Sequence, residues 1–167
     1  MADITVRELT EEEWDQYRSV RLAALQESPG AFVASYDEEA DYDEEFWRLR
    51  MRRSQRLLAE CDGEPVGIAS VGEVDTDDGS QGELFGLWVS PALRGKGIAT
   101  QLVSAGAKNA SEQGHSHLYY WVGTDNGRAV AFASGFGFRP TDKRRPVRVE
   151  SEEDGDEEIA MVLPLAD

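Results

Sequence analysis

The stretch that decides the fold is Leu87-Trp88-Val89-Ser90-Pro91-Ala92-Leu93-Arg94-Gly95-Lys96-Gly97-Ile98-Ala99. Its apolar start is typical of a strand, which Ser90-Pro91 ends because proline has no N–H to give to a sheet. A basic, glycine-rich turn follows and leads into a helix. Glycines let backbone N–H groups approach a ligand, and a helix N-terminus adds unpaired donors and about half a positive charge. With Arg94 and Lys96, this turn predicts a site for a pyrophosphate.

Two other phosphate-binding motifs fit the turn poorly. A Walker loop requires serine or threonine directly after Gly-Lys, whereas Gly97 follows Lys96. A dinucleotide fingerprint, G-x-G-x-x-G, requires glycine where Thr100 stands, and a parallel βαβ unit near the start of the domain. A tight connection without a ligand is the structural alternative, but it gives no reason for two cationic side chains in such a turn.

Hydrophobic patterns on both sides of this stretch predict a mixed α/β chain. One helix follows Thr10 and Glu13, which form a capping-box pattern, and another starts at Asn126. Asp62-Gly63 predicts a hairpin turn. Strands are predicted over 4–9, 56–60, 66–74, 83–89, 118–122 and 159–163, and the remaining helices over 44–53 and 97–112.

Length and composition favour one compact domain spanning 1–167. No apolar run approaches the roughly 20 residues that cross a bilayer, and the first residues lack a signal-peptide pattern. Cys61 is the only cysteine, so an internal disulfide or a cysteine-based zinc site cannot form. His115 and His117 lack matching ligands at metal-site spacing. We therefore predict a cytoplasmic protein without a membrane span or a metal.

The net charge is −16, which disfavours binding to a nucleic-acid backbone. Two acidic runs are predicted to be exposed loops. The charge either forms a solvated surface, as in a protein from a salt-loving host, or attracts a cationic substrate. The net charge does not indicate whether the protein is a monomer or a homodimer. The runs are Asp37, Glu38, Glu39, Asp41, Asp43, Glu44 and Glu45, and then Glu150, Glu152, Glu153, Asp154, Asp156, Glu157 and Glu158.

The glycine turn resembles the R/Q-x-x-G-x-G/A motif of the GNAT superfamily of N-acetyltransferases in its residues Arg94-Gly95-Lys96-Gly97-Ile98-Ala99. The downstream Asn126-x-x-Ala129-x-x-Phe132 and Gly137-Phe138 are also similar to that family. The resemblance implies a mostly antiparallel sheet, splayed between its fourth and fifth strands and flanked by about four helices. It also implies that acetyl-CoA lies in the cleft between those two strands.

The same resemblance implies which residues hold acetyl-CoA. The pantetheine would pair with the fourth strand, the pyrophosphate would lie on the glycine turn, and two later residues would approach the thiol end. These candidates are Leu87, Trp88 and Val89, then Arg94, Gly95, Lys96, Gly97, Ile98, Ala99 and Thr100, and finally Asn126 and Phe132.

Catalysis would be direct attack by a primary amine in a ternary complex. Glu83 is the candidate general base by resemblance, although a strand-end carboxylate can also be merely solvated. The tyrosine that many GNAT enzymes use as the acid is replaced by Ala133. Ser134 and Tyr120 are the substitute candidates, with Tyr119, water or no acid as alternatives. Without an acid, the chain could instead be a non-catalytic acyl-CoA-binding module.

Overall fold

The computed structural model describes residues 3–27, 36–77, 79–124, 126–146 and 157–165. In these ranges, seven strands form one sheet in the order β1-β2-β3-β4-β5-β7-β6, and five α-helices pack around it. The elements in chain order are β1 (Ile4–Glu8), α1 (Trp14–Glu27), α2 (Tyr36–Ala40), α3 (Glu44–Arg53), β2 (Gln55–Cys61), β3 (Glu64–Thr76), β4 (Gly79–Val89), α4 (Ile98–Glu112), β5 (His117–Gly123), α5 (Gly127–Phe136), β6 (Arg139–Pro146) and β7 (Glu157–Pro164).

The sheet is antiparallel except between β4 and β5, which run parallel. This confirms the predicted fold class, including its mixed sheet. The sequence did not predict α2 or β6. Five residues make only about one and a half helical turns, too few to establish a period in α2. The β6 sequence, Arg-Pro-Thr-Asp-Lys-Arg-Arg-Pro, has no apolar alternation, and the strand forms because β7 offers it a partner.

The two faces of the sheet carry different helices. α4 and α5 pack on one face, where fully buried residues include Leu84, Leu102 and Leu118. α1 and α3 pack on the other, around Trp47 and Leu58. We call these the α4 face and the α1 face.

The first acidic run is not the exposed loop that the sequence led us to expect. It forms α2 and the start of α3, where the Asp43 carboxylate caps α3 by accepting the Phe46 N–H at 3.0 Å. Glu39 is fully buried and pairs with Arg21 at 3.1 Å and with Arg50 at 2.6 Å. In the second run, Glu157 and Glu158 belong to β7, and residues 150–156 lie outside the described residues.

A bulge interrupts β4 at Gly86. β4 and β3 pair at Ser70↔Phe85 and then at Ile68↔Trp88, so β4 holds one extra residue. Gly86 has a φ of +65°, a conformation that favours glycine. The extra residue changes which side chains share a face, so Leu87 and Val89 join Leu84 on the α4 face while Trp88 packs on the α1 face.

Candidate functional site

The parallel strands β4 and β5 stay together over only three residue pairs. Gly82 to Leu84 pair with Leu118 to Tyr120, whereas β4 continues to Val89 and β5 to Gly123. Beyond the pairs, each strand keeps its outer neighbour, β3 or β7. The strand edges that face each other across the gap therefore present backbone N–H and C=O groups to a ligand.

The glycine turn lies between β4 and α4. Gly95 and Gly97 have φ values of +82° and +84°, and a Cβ added at either would meet nothing within 4 Å. Gly97 caps α4, whose first backbone bond runs from the Gln101 N–H to the Gly97 carbonyl at 3.1 Å. The N–H groups of the first helical turn therefore have no partner within the helix. The turn is exposed and open on its outer side.

Side chains around the turn have separate roles. Arg94 Nε donates to the Val89 carbonyl at 3.0 Å, and Arg94 Nη2 donates to Glu27 Oε2 at 3.1 Å. Trp88 Nε1 donates to the same Glu27 oxygen at 2.9 Å. Arg94 and Trp88 thus tie the end of β4 to α1. Lys96 and Thr100 are exposed and are free of this network.

Ile98 contributes to the turn through its backbone only, because its side chain is 1% exposed and packs in the core. Ala99 is half-buried beside it. Backbone donors, one lysine and no Cβ at the two glycines make a cradle for an anion. This donor set fits the oxygens of a pyrophosphate, so the turn could hold that part of acetyl-CoA.

The Asn126 motif forms the start of α5. Asn126 Oδ1 accepts the Ala129 N–H at 3.1 Å and caps the helix. Phe132 is half-buried against the core of the α4 face, and Ala133 is fully buried there. Ser134 is exposed, because the next residue of a helix points about 100° away from its predecessor. Ser134 therefore does not share the buried direction of Ala133.

Tyr120 faces the same core as Ala133. Its ring lies 6.0 Å from that of Phe138, and it packs among the partly buried residues of the α4 face. Burial raises the pKa of its phenol, and the nearby Glu158 raises that pKa further. Tyr120 is therefore a neutral hydroxyl donor at neutral pH. Tyr119 points to the opposite face of β5, where the Lys143 ammonium lies 5.7 Å from its ring centre.

Glu83 lies at the point where β4 meets both neighbours, opposite Gly72 of β3 and Tyr119 of β5. It is half-buried, and it precedes the core residue Leu84, so it points to the α1 face. Glu83 lines a cavity of about 520 Å³ whose walls come from both faces of the sheet, and we call it the glutamate cavity. Its other walls are Arg53, Ser54, Gln55, Gly72, Glu73, Phe85, Gln113 and His115.

A second cavity, of about 180 Å³, adjoins it on the α1 face. No prediction from the sequence included this cavity. We call it the arginine cavity, since Arg21, Arg50, Arg53 and Arg56 line it. The spacing of Arg50 and Arg53, three residues apart on the predicted helix over 44–53, puts them on one helical face and is a signal that could have indicated it.

The described residues hold no group of three or more potential metal ligands. None of the helices in these ranges is long and apolar enough to cross a bilayer.

Comparison with known proteins identifies the family. A model of the acetyltransferase (GNAT) family matches residues 6–138. An uncharacterised N-acetyltransferase of Archaeoglobus fulgidus is 33% identical over 106 residues, which cover 60% of this chain and 67% of that protein. Another, from Methanocaldococcus jannaschii, is 23% identical over 141 residues, or 80% of this chain, and the match spans only 60% of that relative's length.

Solved structures share the fold at lower identity. A GNAT-family acetyltransferase from Streptococcus pneumoniae superposes with a TM-score of 0.78 at 17% identity, covering 98% of this chain and all of that one. A putative acetyltransferase from Salmonella typhimurium, solved with its cofactor acetyl-CoA, gives 0.73 at 19% identity and covers 98% and 95% of the two chains. With the family match over most of its length and this shared fold, the chain belongs to the GNAT family of acetyltransferases.

Proposed function

We propose that this chain is a cytoplasmic, single-domain N-acetyltransferase that transfers the acetyl group of acetyl-CoA to a primary amine, by direct attack in a ternary complex. The observation that carries the proposal is the gap between β4 and β5, which runs from the Leu84–Tyr120 pair to the glycine turn at the start of α4. The Salmonella structure, which contains acetyl-CoA, supports it.

Acetyl-CoA would be held at three places. The backbone of β4 around Leu87 and Val89 offers amide partners to the pantetheine. The N–H groups from Gly95 to Thr100, with Lys96, suit the pyrophosphate. Asn126 caps α5 and Phe132 belongs to it, and because this helix packs against β5 we assign both residues to the pantetheine and thiol end. When bound, acetyl-CoA supplies a thioester, whose carbonyl carbon an amine can attack.

Three groups of this chain are assigned to proton and charge handling. Glu83 accepts a proton from the incoming ammonium, directly or through water. A backbone N–H of β4 near Val89 donates to the carbonyl oxygen as negative charge develops there. Tyr120, whose phenol is kept protonated because burial raises its pKa, donates a proton to the departing sulfur, and the second proton that the nitrogen loses returns to the phenolate through water. Glu83 and Tyr120 lie on opposite faces of the sheet, which suits an amine arriving on one face and a thiol leaving towards the other.

The acidic surface of the chain can be explained in two ways, and only one of them implies a positively charged acceptor. The carboxylates attract a cationic amine, or they only solvate the protein. Glu39 pairs with arginines in the interior, whereas the other six side chains of the first run are exposed: Asp37, Glu38, Asp41, Asp43, Glu44 and Glu45. Attraction by this run therefore depends on the exposed carboxylates alone.

A non-catalytic acyl-CoA-binding module is the alternative function. The observation that favours it is the fully buried alanine at position 133, in place of the usual tyrosine. In that case the chain would act as a sensor or an assembly component, and it would bind acyl-CoA without consuming it.

The test is thiol release from acetyl-CoA in the presence of a panel of primary amines, with acetyl-CoA affinity measured in parallel by calorimetry. The proposal predicts that at least one amine accelerates thiol release well above hydrolysis. Tight binding of acetyl-CoA without acceleration by small amines, amino acids or peptide N-termini would favour the non-catalytic alternative. Failure to bind acetyl-CoA at all would exclude both.

A further inference from the structure

The arginine cavity concentrates positive charge in a chain whose net charge is −16. Its four arginines come from three elements, α1, α3 and β2. The remaining lining residues are Tyr17, Ser54, Ser70, Phe85 and Gly86, so the described lining includes no carboxylate.

One buried carboxylate offsets part of this charge. Glu39 receives hydrogen bonds from both Arg21 and Arg50, at 2.6 to 3.1 Å. Arg56 bonds only neutral oxygens in the described structure, the Arg50 carbonyl at 3.0 and 3.2 Å and the Ser70 hydroxyl at 2.7 Å. No described carboxylate lies within ion-pair distance of Arg53. Within the part of the chain that the structure describes, Glu39 is therefore the one carboxylate seen paired with these four arginines.

This imbalance is costly because Arg56 is only 6% exposed, and a buried charge requires a counter-charge. Burial lowers the pKa of Arg56; Tyr17 opposes that shift, and the guanidinium groups of Arg50, Arg21 and Arg53 add to it. Arginine nevertheless stays protonated in proteins. An anion entering the cavity would relieve this electrostatic cost.

The cavity lies beside the proposed reaction site. Phe85 and Gly86, which line it, are the β4 residues directly beyond the last pair with β5. The arginine cavity and the glutamate cavity share Arg53, Ser54 and Phe85. A small molecule whose anionic group lies in the arginine cavity can therefore extend its other end towards Glu83 and the gap.

We infer that the arginine cavity binds an oxyanion of the acceptor, a carboxylate or a phosphate carried on the same small molecule as the amine. This inference rests on the proposed function and narrows it to zwitterionic acceptors, such as amino acids and aminoalkyl phosphates. Arg53 and Arg56 supply the charged donors, because Arg21 and Arg50 are already paired with Glu39. Guanidinium groups suit both anions through paired N–H donors.

The first experiment compares matched acceptors on the wild-type chain by thiol release. Each of several amino acids is paired with its C-terminal amide, and O-phosphoethanolamine is paired with ethanolamine. We expect at least one anionic member to have a kcat/KM about tenfold or more above its neutral partner. Preference within the amino-acid pairs alone assigns the site to carboxylates, and preference within the phosphate pair alone assigns it to phosphate esters.

The second experiment uses a matched pair of variants. Arg53→Gln removes one cavity charge from an exposed position, so the fold is expected to persist. Arg52→Gln removes the same charge from the preceding residue of α3. Arg52 pairs with Glu11 at 3.5 Å and does not line the cavity. For the preferred anionic amine, Arg53→Gln should raise KM about tenfold, with kcat and the KM for acetyl-CoA nearly unchanged. Arg52→Gln should change none of these values.

Calorimetry tests the inference without turnover, because it measures binding directly. The protein is first saturated with coenzyme A, so that the pyrophosphate site is filled and cannot bind the added anion. Titration with the same anionic amines should give binding that Arg53→Gln weakens and Arg52→Gln does not.

If neutral amines react as well as their anionic partners, the inference is wrong and the proposed acetyltransferase stands. If no amine reacts, the proposed function fails, and the calorimetry alone decides the anion site. Absence of binding, or equal weakening by both variants, overturns the inference.

Discussion

Leu84 of β4 and Tyr120 of β5 form the last of three parallel residue pairs that join the two halves of the sheet. Past this pair the strands follow different partners, since β4 stays with β3 and β5 stays with β7. Leu84 is 1% exposed in the core, so the junction is fixed by packing. The gap therefore starts at a defined point, with Glu83 on one face of the sheet and Tyr120 on the other.

The glycine turn is tested by Gly97→Asp. The new carboxylate would stand beside the first N–H groups of α4 and repel a pyrophosphate. We expect acetyl-CoA affinity to fall at least tenfold, or about 1.4 kcal/mol, as measured by calorimetry. Gly63→Asp is the control, because Gly63 has a similar φ of +86° and open space in the β2–β3 turn. Equal affinity of the two folded variants would contradict the assignment of this turn.

The role of Glu83 is tested by Glu83→Gln, which keeps the shape of the side chain but cannot take up a proton. We expect kcat to fall about 10²-fold, within the range for a general base, while acetyl-CoA affinity stays near that of the wild type. Raising the pH should partly restore the rate, since more of the amine is then unprotonated. Glu73→Gln, in the same cavity, is the control. A normal kcat for Glu83→Gln between pH 6 and 9 would mean that Glu83 is only a solvated strand residue.

The acid is tested by comparing Tyr120→Phe with Tyr119→Phe and Ser134→Ala. If Tyr120 protonates the leaving thiolate, only Tyr120→Phe should lower kcat, by about 10²-fold. Because the pKa of Tyr120 is raised above its ordinary value of 10.0, the phenol stays protonated and wild-type activity should show no loss from its titration up to pH 9. A loss confined to Ser134→Ala would move the acid to Ser134, and no loss in any variant would indicate water or no acid.

Stability at acid pH is tested through Glu39. Burial opposes ionisation of this carboxylate, but hydrogen bonds from Arg50 and Arg21 outweigh it and hold its pKa below the ordinary value of 4.5. A group whose pKa is lower in the folded state stabilises the protein above its unfolded pKa, and that contribution is lost as the pH falls through the folded pKa. The free energy of unfolding should therefore decline below about pH 4.5.

Glu39→Gln should remove this part of the pH dependence and should lower the free energy of unfolding at pH 7 by about 3 kcal/mol, since it leaves two arginines without their buried partner. Asp37→Asn, an exposed change in the same helix, should do neither. Urea unfolding at pH 7 and at several pH values below 5 measures both effects. If Glu39→Gln and the wild type show parallel pH profiles, the buried pair does not control acid stability.

The sequence alone determined the features that are local in the chain. The helix predicted over 44–53 has those bounds in the structure, Glu44–Arg53, because its cap and its apolar period lie within ten residues. The glycine turn between β4 and α4 was also recognisable, because proline, glycine and charge follow one another directly. From these elements and their order, the family and its mixed sheet could be predicted.

Tertiary structure alone decided what depends on distant segments. The bulge at Gly86 shifts Leu87 and Val89 to the α4 face because β3 and β4 pair out of step there, and strand alternation by itself would have placed them wrongly. Glu39 looked like part of a solvated acidic loop until Arg21 and Arg50 were brought around it. The arginine cavity is assembled from α1, α3 and β2. Pairing, burial and cavity walls arise between segments far apart in the chain, so no local pattern encodes them.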